Sequence, residues 1–222
     1  MLVFGQVNLK TYVPDDNFEN ILEFNGWGDG ITLNDSVNTL SVEMLMSLDV
    51  SNENISDLTG IEDFTSLLML KCYSNPLTSI DVSNNIYLTD LRCQSNQLTS
   101  LDVSQNTALK TLFCFSNFLT SLDVSFNTAL THLYSQSNQF ISLDVSQNTD
   151  LYFLQCHSNQ LTTLDVSTNT ALQYLYCYSN QLTSLDVSND TTLKELHCQD
   201  NQLTNLDLRN GNNTNMPTFT IS

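Results

Sequence analysis

Apolar positions along the chain repeat every 21 residues, and this period replaces the 3.6-residue period expected of a helix. One copy, residues 88–108, reads "LTDLRCQSNQLTSLDVSQNTA". The register holds through seven copies. No single copy has enough apolar surface to form a core alone, so the pattern predicts a solenoid in which the copies stack.

Two kinds of local structure are expected within each copy. Alternation around Leu91 and Cys93 predicts a short strand. The following "LTSLDVSQNTAL" has no helical period and many β-branched residues, so we expect it to return as extended chain. The fold class is thus a β-rich solenoid in which strands of successive coils pair about 4.8 Å apart. The residues predicted to point inward are Leu91, Cys93, Leu98, Leu101, Val103 and Leu109, with their equivalents.

The copy resembles the leucine-rich repeat pattern L-x-x-L-x-L-x-x-N-x-L, through Leu88, Leu91, Cys93, Asn96 and Leu98. With its cysteine column and "LDVSxNT", it is similar to the 21-residue repeats of some internalins, which are bacterial surface proteins, and to repeats of secreted Bacteroidetes proteins. Residues 48–67 resemble the wider internalin repeat. The resemblance implies a right-handed coil with a parallel sheet on its concave face, and a binding rather than a catalytic role.

These patterns divide the chain into three parts. Residues 1–45 form an N-terminal cap, residues 46–208 form one 22-residue repeat and seven 21-residue repeats, and residues 209–222 form a polar tail that we expect to be truncated. In the cap, "PDDNFENILEFNG" predicts a short amphipathic helix with its N-cap at Asp15 or Asp16. We expect Glu19 to complete a capping box with Asp16 and Gly26 to end the helix. "MLVF" is too short for a signal-peptide core, so most of any export signal is expected to be missing.

The charge of the chain excludes two classes of partner. Six Lys and Arg stand against 24 Asp and Glu, giving a formal net charge of -18. Such a charge repels nucleic acid phosphates and anionic lipid headgroups. No apolar run approaches the roughly 20 residues of a membrane span. We therefore expect neither nucleic acid binding nor membrane insertion, and we expect a monomer.

Two columns of the repeat, one of cysteine and one of asparagine, have structural interpretations. The cysteines (Cys72, Cys93, Cys114, Cys156, Cys177 and Cys198, with Ser135 in the gap) point the same way in successive coils, so they do not converge as zinc ligands or approach as disulfides. We predict buried free thiols. The asparagines at Asn75, Asn96, Asn117, Asn138, Asn159, Asn180 and Asn201 are predicted to satisfy backbone groups of a turn.

A column of aspartates leaves two interpretations open. Seven carboxylates about 4.8 Å apart repel each other by roughly 1 kcal/mol per adjacent pair even in water. Hydrogen bonds from Ser, Thr or backbone N–H groups are the preferred explanation, with no cofactor. Bound calcium is the alternative, and its candidate ligands are Asp102, Asp123, Asp144, Asp165 and Asp186.

The variable positions carry the functional prediction. Residues beside the inward Leu and Cys should form three outward columns on the concave face. All three histidines and five of the eight tyrosines fall there. Exposed aromatic surface usually marks an interaction site. The predicted ligand-binding residues are Tyr73, Arg92, Phe113, Phe115, His132, Tyr134, Phe153, His157, Tyr174, Tyr176, Tyr178 and His197.

Several functions compete for this face. A protein-binding or adhesion module fits its mixture of aromatic and charged residues. Carbohydrate binding is the alternative, with sugars on Tyr134, Phe153, Tyr174 and Tyr176. Ice binding by the Thr and Ser columns of "LTSLDVS" is a remote third. We do not expect an enzyme, because the periodicity gives His132 and His157 no Ser, Cys or acidic partner. Composition and resemblance favour a secreted or cell-surface protein.

Overall fold

The computed structural model describes residues 9–211 and 218–220, and it forms a β-solenoid of about eight turns closed at its N-terminal end by a small cap. The first eight residues, which include "MLVF", lie outside the described residues. Within the described part, no helix is long and apolar enough to cross a membrane.

The cap contains a two-stranded antiparallel sheet and two helices. Its elements are β1 (Lys10–Tyr12), α1 (Asp16–Phe24), β2 (Ser36–Asn38) and α2 (Thr39–Val42). The predicted amphipathic helix is confirmed, with Phe18 and Leu22 fully buried. Its N-cap is Asp15, whose Oδ1 accepts hydrogen bonds from the backbone N–H groups of Asn17 and Phe18.

The predicted capping box between Asp16 and Glu19 is wrong. Because Asp15 is the N-cap, Glu19 lies one residue beyond the position that a box requires. Glu19 is instead buried, and its two carboxylate oxygens accept hydrogen bonds from the backbone N–H groups of Asn34 and Asp35. The side chain therefore holds the loop that leads into β2.

A nine-stranded parallel sheet forms one side of the solenoid. Each strand has three residues and pairs in register with the strand of the next coil. The strands are β3 (Ser47–Asp49), β4 (Met69–Lys71), β5 (Asp90–Arg92), β6 (Thr111–Phe113), β7 (His132–Tyr134), β8 (Phe153–Gln155), β9 (Tyr174–Tyr176), β11 (Glu195–His197) and β13 (Thr218–Thr220).

The rest of each 21-residue coil returns as turns and extended chain, as predicted. The only paired strands on that side among the described residues are β10 (Ser184–Asp186) and β12 (Asn205–Asp207). A 3-10 turn, Ile61–Asp63, lies in the first, 22-residue repeat. β13 lies within the segment predicted as a polar tail, and residues 212–217 and 221–222 of that segment lie outside the described residues.

The core is a stack of equivalent apolar side chains. All six residues predicted to point inward between positions 88 and 109 are buried. The cysteines are also buried and free, as predicted. The Sγ atoms of Cys72 and Cys93 lie 3.6 and 3.5 Å from a backbone carbonyl oxygen of the next coil, and Ser135 Oγ makes the equivalent bond at 3.2 Å. Burial raises the pKa of Cys93 and Cys156 to about 12, so these thiols stay protonated.

The predicted role of the asparagine column is confirmed. Asn117 shows the pattern: its Nδ2 donates to the carbonyl oxygens of Cys93 and Cys114 at 3.1 Å, and its Oδ1 accepts from the Leu98 N–H at 3.0 Å. The side chain thus joins two successive coils through three hydrogen bonds. The Leu98 N–H gains its acceptor in this way, and each of the two carbonyl oxygens accepts from two asparagines of the column, one in its own coil and one in the next.

A second asparagine ladder, which the sequence analysis did not assign, runs along the opposite side of the core. In each coil its Nδ2 donates to two carbonyl oxygens of the preceding coil. Asn148, for example, donates to Val124 at 3.0 Å and to Asn127 at 2.9 Å. The members are Asn85, Asn106, Asn127, Asn148 and Asn169, and in the next coil Asp190 takes the place of the asparagine.

Candidate binding face on the concave sheet

The side chains of the main sheet alternate between the core and the concave face. In β4 to β9 and β11 the central leucine is buried, and the residues on either side of it are partly exposed. All twelve predicted binding residues lie on this face and are half-buried. The structure therefore brings them to one surface.

Most of these rings contact each other in a continuous row across five coils, from β6 to β11. Phe113 stacks on Tyr134 with ring centroids 4.1 Å apart and an interplanar angle of 5°. Tyr134 stacks on Phe153 at 5.0 Å, and Phe153 contacts both tyrosines of β9 at 5.4 Å. The aromatic strip, as we call this row, consists of Phe113, His132, Tyr134, Tyr152, Phe153, Tyr174, Tyr176 and His197.

Tyr152 is the member of the strip that the sequence analysis missed. It precedes β8, outside the three columns assigned to the face. Its ring nevertheless lies 5.6 Å from that of His132 and 5.5 Å from that of Tyr174. The aromatic residue at this position of the repeat was the signal that could have indicated the contact, because a long side chain is needed to reach the strip from there.

The remaining predicted aromatic residues lie around the strip. Phe115 contacts Phe113 edge-on at 6.4 Å, and His157 stacks on Tyr178 at 4.1 Å as a separate pair. Tyr73 lies on the same face but two coils before the nearest ring of the strip. The structure does not bring Tyr73 into contact with the strip.

An arginine–aspartate pair lies at the N-terminal end of the strip. The Arg92 guanidinium donates from Nε and Nη2 to the two carboxylate oxygens of Asp90, at 3.0 and 2.9 Å. The same guanidinium lies 5.0 Å from the centroid of the Phe113 ring, in cation–π distance. One coil earlier, Lys71 and Asp49 form a second ion pair at 3.1 Å. The charges at this end of the face are therefore balanced.

A carboxylate organises the C-terminal end of the strip. Glu195 Oε1 lies 2.7 Å from His197 Nε2. Burial and then a hydrogen bond to Glu195 raise the pKa of Tyr176 to about 12, so its phenol stays protonated and donates to the carboxylate. Burial lowers the pKa of His132 and His157, so both are neutral at pH 7. Their nearest polar partners are the hydroxyls of neighbouring residues in sequence, Thr131 and Ser158.

The aspartate column on the flank of the solenoid is hydrogen-bonded, as the preferred interpretation predicted. In coil after coil, Oδ1 of the aspartate accepts from the backbone N–H of the serine two residues later, at 2.9 Å for Asp102, Asp123, Asp144 and Asp165. Hydrogen bonds from the backbone N–H and then the hydroxyl of this serine lower the pKa of Asp102 and Asp144, and bonds from the hydroxyl and then the N–H lower the pKa of Asp123 and Asp165. Among the described residues, only Asp16, Glu19 and Asp35 bring three possible metal ligands within 4.8 Å of one another, and both Glu19 oxygens are already hydrogen-bonded.

The in-register parallel sheet, the stacked leucines and the two ladders of buried polar side chains define a leucine-rich repeat protein. Comparison with known proteins supports this class. Among bacterial leucine-rich repeat proteins, the chain resembles internalin J. It is 43% identical over 80 residues to internalin J of Listeria monocytogenes serotype 4b (strain F2365), a segment that is 35% of this chain and 8% of that protein.

Solved structures give the same answer. The functional domain of internalin J from Listeria monocytogenes, which includes a cysteine ladder, is 35% identical with a TM-score of 0.55, over 90% of this chain and 54% of that one. A leucine-rich repeat protein of Leptospira interrogans is 26% identical with a TM-score of 0.70, over 81% and 49% of the two chains. Internalin C2 of Listeria monocytogenes shares the fold, with 21% identity, a TM-score of 0.78 and 96% and 94% coverage.

The extent of these similarities is limited in two ways. The chain spans about half the length of the first two solved relatives and a small part of internalin J itself. No protein-family model matches the chain. The similarity therefore supports a protein-binding or adhesion module in general terms.

Proposed function

We propose that this chain is a non-catalytic binding module that recognises a protein partner through the aromatic strip on its concave face. The observation that carries the proposal is the continuity of the strip over five coils at half-exposure. The core of each coil of the strip is already filled by leucine, valine and cysteine, with Ser135 in place of the cysteine in one coil, so the fold does not need these rings for burial. Rigid aromatic side chains at a partly exposed surface are typical of protein interfaces.

The stacking of the rings favours a protein partner over a sugar. A sugar ring binds against an open aromatic face. In the strip, the faces of Phe113, Tyr134 and Phe153 lie against one another at 4.1 to 5.0 Å, with interplanar angles of 5° and 28°. The rings therefore present mainly their edges to solvent. An edge surface flanked by ion pairs suits apolar and polar side chains of a protein.

The proposal is tested with a displayed library of random twelve-residue peptides selected on the immobilised protein. We expect the selected peptides to bind the double variant Tyr134→Ala/Tyr176→Ala at least tenfold more weakly than wild type, because two rings of the strip are removed. The matched control is Tyr87→Ala/Phe126→Ala. This variant removes two rings that are 57% exposed and lie in turns outside the sheet. Equal losses in both variants, or no loss in either, would contradict the proposal.

The carbohydrate alternative has its own test. A glycan array probed with the wild-type protein and with both double variants would show sugar-specific signals. A signal that disappears only in Tyr134→Ala/Tyr176→Ala would replace the protein partner with a glycan on the same face.

We also propose that the module acts outside the bacterial cell, in the medium or at the cell surface. The support is its resemblance to internalin J and the acidic, Asn- and Thr-rich composition. Fractionation of the native host, with antibody detection in medium, surface and cytoplasmic fractions, tests the location. Detection in the cytoplasm alone would contradict it.

A further inference from the structure

We infer that the protein partner presents two acidic groups about 19 Å apart, which Lys110 and Lys194 bind at the two ends of the aromatic strip. This inference rests on the proposed function and specifies the chemistry of the partner. Its basis is the position of the two lysines together with the pairing of every other lysine and arginine in the chain.

The two lysines occupy the same column of the solenoid, four coils apart. A series of backbone hydrogen bonds joins them one coil at a time: Thr131 N–H to Lys110 O, Tyr152 to Thr131, Gln173 to Tyr152, and Lys194 to Gln173, all at 2.8 to 2.9 Å. Four steps of about 4.8 Å separate the two ends by about 19 Å.

This column borders the aromatic strip. Its middle member, Tyr152, contacts the rings of His132 and Tyr174. Lys110 immediately precedes β6, where the strip begins with Phe113, and Lys194 immediately precedes β11, where it ends with His197. Both lysines are exposed. A partner lying along the strip therefore meets one lysine at each end.

The charge distribution singles out these two lysines. The chain has six Lys and Arg. Four of them are in ion pairs: Lys10 with Asp29, Lys71 with Asp49, Arg92 with Asp90 and Arg209 with Asp207. Within the described ranges, only Lys110 and Lys194 have no carboxylate at ion-pair distance. In a chain with 24 acidic residues, two cations kept unpaired on the same rim of the proposed binding face indicate a function in binding anions.

The overall acidity of the chain does not prevent this interaction. At physiological ionic strength, exposed charges act over about 8 Å, so the local charges decide. On the face itself, Asp49, Asp90 and Glu195 are each held by a neighbouring cation or histidine.

The same selected peptides test the inference. An extended chain advances about 3.3 Å per residue, so we expect enrichment of Asp or Glu at positions about six residues apart, with apolar or aromatic residues between them. We expect Lys110→Ala/Lys194→Ala to weaken binding of these peptides about fivefold to tenfold, as for two exposed ion pairs. Lys110→Arg/Lys194→Arg should retain binding. The matched control, Lys10→Ala/Arg209→Ala, removes the same net charge away from the face and should bind as wild type does.

The outcomes separate the inference from the proposed function. If the tyrosine variant loses binding and the lysine variant does not, the inference is wrong and the function stands. If the lysine variant and its control lose binding equally, only net charge matters and the inference also fails. Preferential binding of an acidic polysaccharide such as polygalacturonate, lost in Lys110→Ala/Lys194→Ala, would overturn the assignment of a protein partner. If no variant changes binding, both proposals fail.

Discussion

Asp190 is a buried carboxylate that takes the place of the asparagine in the second ladder. It has no exposed surface, and neither carboxylate oxygen has a hydrogen-bond partner among the described residues. By equivalence with Asn169, its side chain faces the carbonyl oxygens of Val166 and Asn169. An ionised carboxylate cannot donate to either oxygen, whereas an amide donates to both. We predict that Asp190→Asn stabilises the protein.

The size of the gain follows from the pKa. Burial, and then the charges of Asp186 and Asp165, raise the pKa of Asp190 from 3.8 to about 7. A difference of about three pKa units corresponds to roughly 4 kcal/mol between the two protonation states. The two restored hydrogen bonds add about 1 kcal/mol each at most, because each carbonyl already accepts one backbone N–H. We expect the free energy of unfolding at pH 8 to rise by about 4–6 kcal/mol.

The gain must depend on pH in one direction. The unfolded chain ionises this group near pH 4 and the folded chain near pH 7, so between these values the folded state binds more protons. The stability of the wild type therefore falls, through this group, as the pH rises from about 4 to 7. The difference between Asp190→Asn and wild type should be largest above pH 7 and should shrink steadily toward pH 5.

Urea unfolding followed by circular dichroism at several pH values between 5 and 8 measures this difference. Asp150→Asn is the matched control, because it removes the same charge from an exposed position and should leave the stability within about 0.5 kcal/mol of wild type. A pH-independent difference, or equal stability of Asp190→Asn and wild type at pH 8, would refute the argument that this carboxylate is buried and unpaired.

Three further predictions concern the columns of the coil. Asn148→Ala should lower the free energy of unfolding by about 2–3 kcal/mol, because two buried carbonyl oxygens lose a donor. The control Gln147→Ala, which changes an exposed neighbour, should alter it little. Urea unfolding of both variants measures the difference. The six thiols should not react with Ellman's reagent at pH 8 until the chain is denatured, and prompt reaction in the native state would show that the cysteine column is accessible. The melting temperature should be the same in 5 mM calcium and in EDTA, because serine N–H groups already satisfy the aspartate column; a clear rise with calcium would restore the alternative.

The repeat predicted which column each residue occupies, because a fixed period makes position in the coil a function of residue number alone. Burial of Cys93, the turn role of Asn117 and the common face of Phe113 and Tyr134 all followed from that. Contacts that depend on side-chain length did not. Tyr152 reaches the strip from a neighbouring column, and the pairing of Arg92 with Asp90 depends on rotamers that the period does not specify. Glu19 lies in the non-repetitive cap, where only helix-capping rules could be applied. Its carboxylate binds the backbone N–H groups of Asn34 and Asp35 instead of completing a capping box.

The equal length of the coils has a consequence for how such a surface changes over time. The strands β4 to β9 and β11 of the main sheet follow one another every 21 residues and pair without any offset. Duplication or loss of one whole coil would therefore preserve every remaining side-chain column, and for a coil between Lys110 and Lys194 it would change the separation of the two lysines by one step of about 4.8 Å. Recombination between the coding sequences of the coils can thus lengthen or shorten the concave face by whole coils. The residues of each remaining coil stay the same.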